Sequence, residues 1–146
     1  MSSAIVVDPI ARLLAGHGLT RQHLTQLADP ALRVQAIAWL DGPADAQRQT
    51  LQRTLFPALI ESMAGSDAVC LKGMTQGLTE QGMALRHRWH AIRADLSNAT
   101  TALPDTLQSW IDDYLNYLQR ADEELLPMAS RLLDDDALDQ LRRALA

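Results

Sequence analysis

Two side chains that could bind a metal or move a proton lie on apolar stripes of predicted helices. His17 shares its stripe with Ile10, Leu13 and Leu24, so its imidazole should point inward. Tyr117 lies on the apolar face of a later helix, where Asp122 is the nearest plausible carboxylate. Such donors can bind ferric iron, whereas an imidazole with a phenol can act as general base and acid.

Other polar clusters are expected on the surface. His87 and His90 are three positions apart, but neighbouring arginines disfavour a bound cation there. The acidic run 122–124 precedes a proline on a face expected to be exposed, which makes it surface charge. The run 134–136 lacks the glycine-punctuated loop of a calcium site and is interpreted as a helix start.

Capping signals divide the first half of the chain into helices. Asp8-Pro9 is an N-cap followed by proline, and it predicts a first long helix over about 9–28. A short helix over 32–40 follows and is stopped by Gly42-Pro43. A second long helix is predicted from about residue 44 to residue 65.

The second half of the chain repeats this organisation. Ser66-Asp67 can cap a third long helix that ends near Asn98. A fourth long helix follows Pro104-Asp105. The acidic run 134–136 then precedes a short C-terminal helix over 137–145, which has basic residues in its last turn.

A proline lies well inside the apolar pattern of both the second and the fourth long helix. Pro57 and Pro127 end similar phrases, Leu55-Phe56-Pro57 and Leu125-Leu126-Pro127, 70 residues apart. A proline inside a helix costs about 3 kcal/mol and is expected to kink it. The repeat indicates two helical hairpins, and two hairpins make a four-helix bundle.

These two segments resemble the hemerythrin-like (HHE cation-binding) family, in which His, three residues, Glu-Glu, two residues and Leu-Phe-Pro or Leu-Leu-Pro occur twice. The resemblance covers nearly the whole chain and includes Asp8-Pro9 with His17, Trp89 with Ile92-Arg93, and residues 114–133. It implies an all-α, up-down four-helix bundle with a short helix between the first two long helices and a short C-terminal helix. The family binds a non-haem di-iron centre between its four helices, used for oxygen binding or sensing and for iron or nitric oxide chemistry.

The ligand positions implied by this resemblance are mostly changed. His17 keeps the first histidine. The other five positions hold, in chain order, Gln47, Leu51, Gly82, Tyr117 and Ala121. A count that keeps the 70-residue repeat strictly would place His87 instead of Gly82 opposite His17, but Trp89 and its flanks match the family better with Gly82 inside.

Both glutamate positions have lost their carboxylates, Leu51 and Ala121 standing there instead. Buried carboxylates are tolerated beside a metal because the metal pairs with them. In a metal-free protein they would be buried charges without a partner, so losing both removes that energetic cost. We therefore expect no cofactor. The six positions are expected to surround a ligand pocket, with His17 directed toward Gln47 and Tyr117.

Three functions follow from this interpretation. The preferred one is a non-catalytic binding, sensor or interaction module with an unidentified small-molecule or protein partner. The first alternative is an iron-binding protein related to oxygen, iron or nitric oxide chemistry that uses His17, Tyr117 and Asp122 as ligands. The second alternative is a metal-independent enzyme in the vacated pocket, with His17 as base and Tyr117 as acid.

Length and composition limit the number of domains, the location and the partners of the protein. The 146 residues fit one domain over 1–146, and the single cysteine excludes an internal disulfide. The chain starts without a basic segment before an apolar stretch and has no apolar run of about 18 residues, so we expect a cytoplasmic protein without membrane contact. A net charge of -5 argues against nucleic acid as a partner. Glycines 73, 77 and 82 in the third long helix predict close approach of another helix, from this bundle or from a homodimer partner.

Overall fold

The computed structural model of the protein describes residues 8–63, 66–98 and 105–145. Within these ranges the regular structure is helical throughout, and no strand is present. The α-helices are α1 (Pro9–Gln26), α2 (Arg33–Asp41), α3 (Pro43–Thr50), α4 (Phe56–Ser62), α5 (Ser66–Asn98), α6 (Asp105–Arg120), α7 (Leu126–Leu132) and α8 (Asp135–Ala144). The all-α prediction is therefore confirmed.

The predicted capping residues begin the first and last of these helices. Asp8 accepts a hydrogen bond of 3.0 Å from the N–H of Ile10, and Pro9 occupies the first turn of α1. Asp134 accepts one of 2.8 Å from the N–H of Ala137 and caps α8. Each carboxylate satisfies an N–H that has no partner within its helix.

The two internal prolines, at which the sequence predicts kinks, lie just after segments with a wider helical turn. Each follows a π-helical segment, π1 (Leu51–Leu55) between α3 and α4 and π2 (Ala121–Leu125) between α6 and α7. The N–H that follows each segment bonds to the carbonyl five positions earlier. Proline lacks an N–H and crowds the carbonyl four positions earlier, and a wider turn accommodates both effects. Pro57 and Pro127 are then tolerated in the first turns of α4 and α7.

The helices pack around one apolar core. Helix α1 contacts α2, α3, α6, α7 and α8, and α5 packs against α4 and α6. Asp41 ties α2 to α5, because its carboxylate accepts from the indole of Trp89 at 2.8 Å and from the guanidinium of Arg93 at 2.7 Å. No helix in the described parts of the chain combines the length and the apolar character needed to span a bilayer.

Candidate functional site

His17 is buried and bonded to a carboxylate from the opposite half of the chain. Its side chain is 1% exposed, and its Nδ1 lies 2.6 Å from Oδ1 of Asp122, in π2. The second oxygen of Asp122 pairs with the guanidinium of Arg21, one turn after His17 on α1. The three side chains form an ion-pair cluster that ties α1 to π2.

The charge of Asp122 fixes the proton on His17. Burial alone would raise the pKa of Asp122, but hydrogen bonds and positive charge from His17 and Arg21 bring it below its ordinary value. Asp122 is therefore a carboxylate that only accepts hydrogen bonds, so Nδ1 of His17 must donate. With Nδ1 donating, a lone pair on this imidazole can be only on Nε2.

Gln47 belongs to a different hydrogen-bond network. The hydroxyl of Thr20 donates to Oε1 of Gln47 at 2.8 Å, and the indole N–H of Trp39 donates to that hydroxyl at 2.9 Å. The amide nitrogen of Gln47 lies only 2.6 Å from the point where a Cβ on Gly16 would stand. Glycine at position 16 therefore leaves room for the Gln47 amide and lets α1 approach α3 closely.

The two positions at which the family resemblance implies glutamates lie in the closed core. Leu51 and Ala121 each have 0% exposure, and they begin π1 and π2. Neither side chain offers a lone pair. Apolar atoms therefore fill the places where the family resemblance implies carboxylates.

Tyr117 and Gly82 line a narrow cavity, named here the tyrosine slot, between α3, α5 and α6. Its volume is about 20 Å³, room for about one water molecule. A Cβ on Gly82 would stand 3.2 Å from Oη of Tyr117 and 3.3 Å from Cγ of Arg48. Glycine at this position therefore keeps the slot open and lets α5 and α6 pack closely.

Aromatic rings form one wall of the tyrosine slot. Trp89 stacks on Trp110 with a centroid separation of 5.0 Å, and Tyr114 meets Trp110 edge-on at 5.3 Å. Tyr117 continues the series, edge-on to Tyr114 at 5.9 Å. The indole N–H of Trp110 donates to the carbonyl of Leu85 at 3.0 Å. Neither tyrosine hydroxyl has such a partner among the described residues.

Three charged side chains complete the lining of the tyrosine slot. Burial would raise the pKa of Asp45, but hydrogen bonds from Gln49 and Arg48 and the positive charges of Arg48 and Arg86 lower it. Asp45 lies 2.9 Å from Nε of Arg48 and 3.7 Å from Nε of Arg86. The Nη1 atom of Arg86 is buried without a hydrogen-bond partner in the described structure.

The six positions taken from the family resemblance are divided among three environments. Gly82 and Tyr117 line the tyrosine slot, Leu51 and Ala121 lie in the core, and His17 and Gln47 bond to other residues. The expectation that His17 faces Gln47 and Tyr117 is replaced by its pair with Asp122.

The structure confirms one sequence-based expectation about exposure and contradicts another. Gly82 is buried and His87 is exposed, so the register with Gly82 inside is the observed one. Asp122 is not surface charge, because its side chain is 11% exposed and engaged on both oxygens. Glu123 and Glu124 are exposed, as expected.

The donor set does not fit a di-iron centre. At these six positions, three side chains carry no donor atom, and the oxygen of Gln47 already accepts from Thr20. His17 offers Nε2 alone. In the described parts of the chain no group of three or more His, Cys, Asp and Glu side chains is arranged to hold a metal ion. Iron needs several ligands together in a fixed geometry.

Four residues of these networks were missed by sequence reasoning. Arg21 and Thr20 follow His17 by four and three positions, so helical spacing alone places them on its side of α1. Asp45 and Arg48 are three apart on α3 and pair with each other. Nothing local indicates that this pair faces Tyr117 across the helix interface.

No family model, curated protein or solved structure matches this chain. Function must therefore be inferred from the residues themselves and from the geometry in which the fold holds them.

Proposed function

We propose that the protein is a metal-free, up-down four-helix bundle of hemerythrin-like type that acts as a non-catalytic binding or interaction module. The observation that carries this proposal is the pair of core residues Leu51 and Ala121, each with 0% exposure at the start of a π segment. In the family these two positions hold carboxylates. Both have become apolar, in matching places, in one chain.

The matching π segments support the hemerythrin-like part of the proposal. They have the same length, lie 70 residues apart, and are each followed by a proline at the same distance. A π segment inserts an extra residue into a helical turn and is commonly found at functional sites. Two copies in equivalent positions are what duplicated ligand helices would retain after the ligands had changed.

The protein's own ion pairs support the metal-free part. Beside a metal centre, His17 would direct a nitrogen to a cation, and the positive charge of the metal would balance nearby carboxylates. Here Arg21 balances Asp122, which also accepts a hydrogen bond from His17, while Arg48 and Arg86 balance Asp45. The interior charges are therefore compensated by protein groups.

The geometry favours binding over catalysis. An acid–base pair must reach the same reacting group, within hydrogen-bond distance of each partner. His17 donates to Asp122, whereas Tyr117 lines the tyrosine slot with Arg48 and Arg86 and makes no hydrogen bond to His17. The binding interpretation needs no such convergence.

An anaerobic titration with ferrous iron tests this proposal. We expect no saturable binding to the wild type, whereas the Leu51→Glu/Ala121→Glu variant should bind iron because it supplies carboxylates at the two positions where the family has them. Circular dichroism with and without iron reports whether that variant folds. Saturable iron binding by the wild type would overturn the proposal.

Iron binding through His17, Tyr117 and Asp122 is the second candidate, and one observation favours it. A carboxylate bonded to Nδ1 is a common way to orient a metal-binding histidine through Nε2. Against it, Asp122 gives its other oxygen to Arg21, whose positive charge repels a cation. The test is stoichiometric iron that is lost on His17→Ala, with His87→Ala as a surface control.

A further inference from the structure

Three hydrogen-bonding groups of the tyrosine slot have no protein partner in the described structure. They are Nη1 of Arg86, which is buried, and the hydroxyls of Tyr114 and Tyr117, two residues that line the slot. The tyrosines are only 9% and 3% exposed. Buried polar groups are nearly always hydrogen-bonded, so the free Nη1 of Arg86 calls for an explanation, and the two hydroxyls supply further donors in the same slot.

All three groups can donate a hydrogen bond at neutral pH. Burial raises the pKa of both phenols by more than the positive charge of Arg48 lowers it, so each keeps its proton. A guanidinium has only donors. A ligand for this slot must therefore accept hydrogen bonds.

The charges beside the slot favour an anion. Arg48 is engaged by Asp45 at 2.9 Å and by Gln52 at 2.9 Å. Arg86 approaches Asp45 only to 3.7 Å, which is too far for a hydrogen bond. Two guanidiniums therefore share one carboxylate, and the positive charge left over is that of Arg86.

The size of the slot restricts the anion further. The cavity of about 20 Å³ has room for a group of about one water molecule. A halide or one oxygen of a carboxylate is close to this size, whereas sulfate is divalent and only one positive charge is left over at the slot. Glycine at position 82 preserves this space, because a Cβ there would stand 3.2 Å from Oη of Tyr117.

We propose that the tyrosine slot is a binding site for one small monovalent anion, held by the Tyr114 and Tyr117 hydroxyls and the Arg86 guanidinium. This inference rests on the proposed function, since it names a ligand class for the binding module. The anion is either a free halide or the carboxylate of a small organic acid.

Thermal unfolding in chloride and in formate tests this site. The metal-free protein is titrated with sodium chloride or sodium formate, with ionic strength held constant by sodium sulfate. We expect Tm to rise and saturate with one or both anions, because a ligand that binds only the folded state stabilises it. A response to formate alone indicates a carboxylate ligand, and a response to chloride indicates a halide.

Two variants separate the site from a general salt effect. Arg86→Gln should weaken anion binding by about tenfold or more, because it removes a charge-assisted hydrogen bond. Arg88→Gln is the matched control, since Arg88 pairs with Asp113 on the surface at 2.7 Å and loses the same charge. Tyr114→Phe/Tyr117→Phe should also lose affinity by about tenfold or more while remaining folded, because the hydroxyls it removes have no protein partner.

Each outcome decides for or against the site. It is overturned if the wild type shows no saturable response, if Arg86→Gln and Arg88→Gln weaken binding equally, or if the tyrosine variant keeps wild-type affinity. If Arg86→Gln does not fold, the anion affinity of Tyr114→Phe/Tyr117→Phe alone decides whether the site exists. Metal content measured on the same sample distinguishes failure of this inference from failure of the proposed function. Stoichiometric iron would contradict the proposed function. A metal-free protein that binds no anion would contradict only this inference.

Discussion

Nδ1 of His17 lies 2.6 Å from Oδ1 of Asp122, although 105 positions separate the two residues in the chain. This bond joins the first helix to the second π segment and takes up one of the two nitrogens of the buried imidazole. The histidine that the family resemblance implies as a metal ligand therefore works here as part of an ion-pair cluster with Asp122 and Arg21.

Replacing Asp122 should destabilise the fold. Asp122→Asn keeps only one acceptor oxygen, so either His17 or Arg21 loses its acceptor, and both lose the negative charge beside them. We expect a loss of about 1–3 kcal/mol in the free energy of unfolding, measured with urea. Glu124→Gln is the control, because Glu124 is 47% exposed and 3.6 Å from Arg120, and it should change stability by less than about 0.5 kcal/mol. Equal effects of the two substitutions would contradict a structural role for the cluster.

The same carboxylate should make stability depend on pH in acid. The pKa of Asp122 is lowered in the folded protein, so in acid the unfolded chain binds its proton first. The stabilisation is complete above the unfolded pKa of about 3.9 and is lost as pH falls from there through the lower folded value. Urea unfolding between about pH 6 and pH 2 should show the wild type converging toward Asp122→Asn. A difference that stays constant over this range would exclude the pair as its source.

Alkaline titration tests the burial of the tyrosine slot. Tyr114 and Tyr117 are the only tyrosines of the chain, so tyrosinate absorbance reports on them alone. Burial raises the pKa of both, and the folded protein should remain largely protonated at pH 10, where a free tyrosine is about half ionised. Ionisation should then coincide with alkaline unfolding followed by circular dichroism. Half-ionisation near pH 10 in a folded protein would show that the phenols are solvated.

Two glycines of α5 should respond oppositely to alanine. Gly73→Ala meets nothing within 4 Å and should stabilise the protein by about 1 kcal/mol through helix propensity. Gly82→Ala meets Tyr117 and Arg48 at 3.2–3.3 Å, and it should be at least about 1 kcal/mol less stable than Gly73→Ala. Adding Tyr117→Phe to Gly82→Ala should recover part of the difference. If the two alanine variants are equally stable in urea, the close contact at Gly82 is not significant.

Much of the fold could be predicted because its signals are local. Asp8-Pro9 and the acidic run before α8 begin helices through capping, which depends on only three or four neighbouring residues. The inward register of Gly82 could be predicted from Trp89 because seven positions are nearly two helical turns.

The site could be predicted only in part because its partners depend on how the helices are rotated. Asp122 follows the buried Ala121 directly, and in a regular α-helix adjacent residues point about 100° apart. In π2 the turn is wider, so Ala121 and Asp122 can both approach neighbouring helices. The unpaired hydroxyls of Tyr114 and Tyr117 were missed because a tyrosine on an apolar stripe is interpreted as core, and its polar atom is satisfied or left free only by tertiary packing.

Metal analysis of the untagged protein from iron-supplied cells tests the central claim most directly. Elemental analysis should find iron and other transition metals far below one atom per chain, with no charge-transfer band in the absorption spectrum and an unchanged Tm in chelator. Stoichiometric iron that chelator removes, with a fall in Tm, would contradict the claim that this bundle has replaced its metal centre with apolar side chains and ion pairs.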